Sequence, residues 1–168
     1  MGASEQRTRH TARLVTLTFV TSGGDVLLVR HPEANDRFPG RWNGIGGHVE
    51  TGECIRGAAR RELREETGLD VSDISLRGVV HEAGLLGHDH VLFVFVAGVA
   101  RRPVRSPEGL ELAWHPIRAL AALPLVDDVP DLLSRALAEP EPFFTTATFD
   151  GGDRRAPTAS SLGAGARA

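Results

Sequence analysis

A chain of 168 residues is long enough for one domain with a full core and short for two. Its 41% hydrophobic and 24% charged residues are those of an ordinary globular protein, and a formal net charge of −3 argues against nucleic acid as an obligate partner. The single cysteine, Cys54, excludes an intrachain disulfide and a cysteine-built metal site.

The longest apolar run, residues 91–100, is too short to cross a bilayer, and residues 1–13 contain no signal-peptide core. A cytoplasmic protein with no membrane partner is expected. In chain order, residues 14–21 alternate and are rich in β-formers, 22–25 read as a turn, and 26–29 resume the apolar pattern, which predicts a β-hairpin. Residues 31–43, with two prolines and a glycine, read as a loop leading into the short segment 44–49. Strong helix formers over 55–67, followed by Gly68 as a left-handed cap, predict a helix. Strands are expected over 74–80, 91–99 and 110–115. A second helix is expected over 128–138, N-capped by Asp128, and a last strand over 143–149. The domain should occupy 13–150, between a flexible segment 1–12 and a disordered tail 151–168. Strands with one early and one late helix predict an α/β or α+β layered fold built on a mixed sheet.

The chemistry is concentrated in residues 44–69. On a helix turning about 100° per residue, Glu62, Glu65 and Glu66 fall within a sector of about 100°, so like charges repel and the helix gives up stability to keep them together. A hard divalent cation such as Mg²⁺ or Mn²⁺ removes that cost. Taken alone, the same residues also fit a solvated face laced with i,i+4 ion pairs. The glycines at 44, 46, 47 and 52 permit close backbone approach and free carbonyls, though a tight strand-to-helix turn would use them too.

Residues 47–69 fill every fixed position of the pattern Gly-x5-Glu-x7-Arg-Glu-U-x-Glu-Glu-x-Gly-U, where U is aliphatic, and so the chain resembles the Nudix hydrolase family from about residue 13 to 149. The resemblance implies an α/β/α sandwich and hydrolysis of a phosphoanhydride bond in a nucleoside diphosphate derivative. It implies Mg²⁺, or Mn²⁺ in its place, held by the Gly46 carbonyl and by Glu62, Glu65 and Glu66. Arg61 would orient the acidic cluster, and Glu62 would double as the base for water. It also implies one more acidic ligand, Glu108, with Glu111 as the alternative. Glu53 reads as a structural anchor.

Substrate choice must come from other segments. Residues 38–47 and 125–128 resemble the MutT-type members that act on oxidised purine nucleoside triphosphates. This implies 8-oxo-dGTP or a similar nucleotide, cleaved to monophosphate and pyrophosphate, with Asn43, Asp127 and Asp128 at the base. Asn43 also fits an Asx-type bond that holds its loop. Arg30, at the end of the second strand, reads as a phosphate ligand or as a solvated edge charge. Two adjacent carboxylates in a dry pocket would share a proton, so Asp127 and Asp128 are expected to offer one donor and one acceptor. His48 stands where these enzymes commonly carry Lys. Also open are another nucleoside triphosphate, ADP-ribose, a dinucleoside polyphosphate or a sugar nucleotide as substrate, and a non-catalytic nucleotide-binding module. The partner is a small nucleotide; monomer and homodimer are equally compatible with the sequence.

Overall fold

The structure is a computed structural model that describes residues 11–35, 37–151 and 153–155. In chain order the elements are β1 (Arg13–Ser22), β2 (Asp25–Arg30), β3 (Trp42–Asn43), α1 (Ile55–Thr67), β4 (Ser75–Leu85) and β5 (His88–Gly98). They continue with β6 (Glu111–Pro116), a 3-10 helix (Ile117–Ala122), α2 (Val129–Ala138), β7 (Phe143–Gly151) and β8 (Asp153–Arg154).

The strands form one mixed sheet in the order β3-β2-β1-β5-β4-β7-β8, with β6 on the other edge of β2. The predicted hairpin pairs Val20 with Leu27. β1 runs parallel to β5, from Arg13 opposite His90 to Thr21 opposite Gly98. β4 is antiparallel to β5 and parallel to β7.

Alternation divides the apolar side chains of β1 and β5 between two faces. Leu17, Phe19, Leu92 and Val94 pack with Leu132, Leu133 and Ala136 of α2. Val20, Phe95 and Ala97 pack with Ala59 and Leu63 of α1 on the opposite face. The sheet is therefore sandwiched between the two helices, as the α/β/α expectation requires.

Three boundaries differ from the sequence reading. β4 continues beyond residue 80 to Leu85 and β5 begins at His88, because residues 86 and 87 make a tight turn closed by the Gly87 N–H on the Gly84 carbonyl at 3.1 Å. The segment assigned to a disordered tail contributes the end of β7 and all of β8, where Phe149 pairs with Arg154 and Asp150 with Asp153. The remainder of that tail, and residues 1–10 of the segment expected to be flexible, lie outside the described residues. Finally, α2 starts at Val129 with Asp128 before it, but the Asp128 side chain makes no capping hydrogen bond. Its carboxylate is turned instead toward a cavity.

Candidate active site

Helix α1 is fixed at both ends by local chemistry. The Cys54 sulfur accepts the Gly57 N–H at 3.3 Å, in place of a capping hydroxyl, and Gly68 ends the helix with φ 69°, a conformation that costs a residue with a Cβ free energy. With Ala58, Ala59, Leu63 and Thr67 buried against the sheet, the carboxylates fall on the flank facing residues 44–49.

Arg61 organises that flank. Its Nε and Nη2 donate to the two Glu53 oxygens, both at 3.0 Å, while Nη1 donates to Glu62 at 2.8 Å and Glu65 at 3.0 Å. Nη2 also reaches the His48 carbonyl at 3.0 Å, tying the glycine-rich loop to the helix. The bonds to Glu53 come first among the causes that drive the guanidinium above its ordinary pKa. The paired fork likewise holds Glu53 below the usual carboxylate range.

Glu66 lies deeper and accepts the Gly46 N–H at 3.3 Å. Burial, then the neighbouring Glu62 charge, pushes its carboxyl up to about 8, with Glu108 and Glu65 adding to the repulsion. Glu62 is also raised, chiefly by burial, with Arg61 opposing. Glu108 repels both Glu62 and Glu66, whereas Glu111 is turned to Arg30 at 3.4 Å. Of the two acidic candidates outside the motif, Glu108 is therefore the one associated with the cluster.

The glycines before the helix are needed for close approach. A Cβ on Gly46 would stand 1.9 Å from the Thr16 carbonyl oxygen, and one on Gly47 would stand 2.5 Å from Glu62 Oε1. The loop pairs with β1 through the Ile45 and Gly47 carbonyls, which accept the Thr18 and Thr16 N–H groups. That ladder passes over the Gly46 carbonyl between them.

Hard oxygen donors in repulsive excess suit a divalent cation of the Mg²⁺ class. Glu62, Glu65, Glu66, Glu108 and the Gly46 carbonyl are the groups that would hold it. Among the described residues no three His, Cys, Asp or Glu side chains already converge as a cation cage, and Arg61 draws Glu62 and Glu65 to itself.

Beside this flank, on the α2 face of the sheet, lie two adjoining cavities that share a wall of Arg37, Phe38, Glu82, Val126 and Asp128. The inner one, about 120 Å³, runs from Gly46, Gly47 and His48 to Asn43 and Asp128. The outer one, about 200 Å³, extends to Asp127, Phe149 and Asp153.

Residues 9–136 match the family model described as the NUDIX domain. The chain belongs to the Nudix family. Over 117 residues, 66% of its length, it is 31% identical to the Nudix hydrolase YvcI of Bacillus subtilis, of which the match covers 70%. Over 64 residues it is 48% identical to the oxidized purine nucleoside triphosphate hydrolase of Danio rerio, a match to 38% of this chain and 40% of that protein. The chain thus spans well under half the length of some curated relatives. In structure it is similar to the MutT protein of Bacillus halodurans, with a TM-score of 0.69 and 26% identity over 82% of this chain and 90% of that one.

Within this Nudix fold the residues expected to contact substrate divide. Asp128 is 7% exposed, and burial raises its pKa, with Asp127 adding repulsion while Arg154 and Arg37 oppose. Asp127 faces outward and pairs with Arg41. Asn43 lines the inner cavity, yet its Oδ1 accepts the Gly44 N–H at 2.8 Å, the Asx-type bond that its loop position suggests. Arg30 does not line either of these two cavities. Its Nε donates to the Gly40 carbonyl at 3.0 Å and its two amino groups meet Glu33 and Glu111, so it braces the loop after β2.

Sequence reasoning missed Arg37 and Glu82. Glu82 is 3% exposed on β4, in the inward register of Gly78 and Val80, and a charge at an inward position of a strand was the signal available. The structure also brings His31, lowered in pKa by burial, to the inner cavity. No helix among the described residues is long and apolar enough to cross a membrane.

Proposed function

We propose that this Nudix chain is a Mg²⁺-dependent pyrophosphohydrolase that cleaves an oxidised purine nucleoside triphosphate such as 8-oxo-dGTP to monophosphate and pyrophosphate. The observation that carries the reading is the inner cavity, which joins the catalytic-type loop at Gly46–His48 directly to the buried Asp128 and to Asn43. A nucleotide laid along it has its phosphates beside α1 and its base at the polar end. The likeness to the Danio rerio enzyme supports the same substrate class.

A bound Mg²⁺ or Mn²⁺ would neutralise diphosphate oxygens and activate water. The chain's own residues supply position. Arg61 fixes Glu62 against the Gly47 backbone, and a carboxylate with raised proton affinity is suited to accept a proton from water. Asp128, dry and raised in pKa, offers a hydroxyl donor when protonated and acceptors in either state, which fits the mixed edge of a purine.

The test is pyrophosphate and phosphate release with Mg²⁺ across oxidised and normal nucleoside triphosphates, ADP-ribose, a sugar nucleotide and a dinucleoside polyphosphate. Oxidised purine triphosphates should lead in kcat/KM by about tenfold or more, and Asp128→Asn should erase that lead. Preferential cleavage of ADP-ribose or a sugar nucleotide would overturn the substrate class. Nucleotide binding with no turnover of any compound would return the chain to a binding module.

A further inference from the structure

The wall shared by the two cavities contains an ion pair that is poorly made for a structural one. Arg37 Nη2 stands 3.5 Å from Glu82 Oε2, a charge contact outside good hydrogen-bond geometry. Among the described residues, Arg37 Nε and Glu82 Oε2 are buried without a hydrogen-bond partner. The Glu82 side chain is only 4% exposed, and Asp128, also buried, repels it across the same space. Burying two charges is tolerated when geometry is close and the remaining lone pairs and protons are satisfied. Here the pair bears the cost of burial and leaves two polar atoms unpartnered, on residues that line both cavities.

Such atoms await a ligand that satisfies them. A carboxylate accepts two parallel N–H donors, and a guanidinium donates to a carbonyl or ring nitrogen. The heterocycle that presents both kinds of group along one edge is a guanine-type base, with its ring N–H and amino group beside a carbonyl. We propose that Glu82, with Arg37 as its counter-charge, is a specificity-determining residue that reads the donor–acceptor edge of a guanine-type base alongside Asp128. The proposal rests on the nucleotide reading of the inner cavity and adds to it the residues that select the base. It also assigns Asp127, which is paired with Arg41 on the outer side, no part in that selection.

The experiment is calorimetric binding of 8-oxo-dGMP, dGMP, dAMP and dCMP to the whole chain without metal, so that hydrolysis plays no part. Glu82→Gln should weaken both guanine-type nucleotides by about ten- to a hundredfold, the effect of losing a hydrogen bond to a charged group, and leave dCMP within about threefold. Asp127→Ala should leave the ranking intact. Because Glu82→Gln strands the Arg37 charge, the double substitution Arg37→Leu with Glu82→Leu replaces the pair by apolar groups that a core tolerates, and it should show the same loss of base preference. Wild-type ranking retained in both variants would overturn the role of Glu82 while leaving Asp128 as a base reader. Equal binding of all four nucleotides by the wild type would overturn the base-reading cavity itself, a different failure.

Discussion

Glu66→Gln should make the metal-free protein more stable, and more so as the pH rises. Glu66 ordinarily ionises near 4.5 and in the folded chain is pushed up to about 8, first by burial and then by Glu62. The folded state therefore binds this proton more tightly than the unfolded state. Stability from this group is complete below about pH 4.5 and is lost progressively up to about pH 8. At about 1.4 kcal/mol per pKa unit, the loss is about 2 kcal/mol at pH 6 and about 4 kcal/mol at pH 8. Glutamine keeps an oxygen for the Gly46 N–H and carries no charge, so the variant escapes the loss. Since about 1 kcal/mol moves the melting temperature by roughly 2–4 °C at this size, the variant should melt several degrees above wild type at pH 8 in chelator, with a smaller gap at pH 6. Excess Mg²⁺ should raise the wild type more than the variant, reducing or reversing the gap. Calorimetric melting across that pH range decides the matter. A variant that melts below wild type at pH 8 without metal would show that the acidic cluster is not a site of stored repulsion.

The two neighbouring glycines should fail in different ways. Gly46→Ala places a methyl group against the Thr16 backbone and should cost about 2 kcal/mol or more in denaturant unfolding, whereas Gly47→Ala meets only the end of the Glu62 side chain and should keep stability while lowering kcat at least about tenfold. Equal melting of the two variants would contradict this division. Cys54→Ser should raise stability by about 0.5–1 kcal/mol, because a hydroxyl accepts the Gly57 N–H better than sulfur does, and an unchanged unfolding midpoint would show that the cap carries little weight. Arg61→Lys should keep a positive charge yet lose the fork to Glu53 and the bond to His48; kcat should fall by about a hundredfold or more while nucleotide binding without metal stays near wild type, and loss of binding instead would relocate the role of Arg61.

Helix α1 was legible in the sequence because all its determinants are local: helix formers, a capping position at Cys54, Gly68 in place to end it, and three carboxylates spaced for one sector. The layered fold was legible for a similar reason, since alternation in β1 and β5 assigns residues to two faces whatever their partners. The base side was not. Asp127 and Asp128 are adjacent in the chain, yet Asp127 pairs with Arg41, 86 residues earlier, and lines only the outer cavity, while Asp128 is buried and lines both. Glu82 lies just past the strand expected over 74–80, and the charges that oppose its burial, Arg37 and Arg154, come from segments far away in sequence. The partners of Arg30, Glu111 across the sheet and Glu33 along the loop, are likewise not written into its strand-end position. Long-range charge pairing leaves no periodic trace.

The short return strand β8 means that the far end of the chain helps to bound the space where a ligand would sit. Asp153 lines the outer cavity with Phe149, and Arg154 reaches Asp131 on α2 at 3.3 Å. A chain cut after Asp150 would keep both helices, the acidic flank and Phe149 yet lose Asp153 and the Arg154–Asp131 contact, so it should fold with its hydrolytic groups intact and accept ligands too long for the full chain. Ligand size would then be set in part by residues 153–155, which take no part in the chemistry.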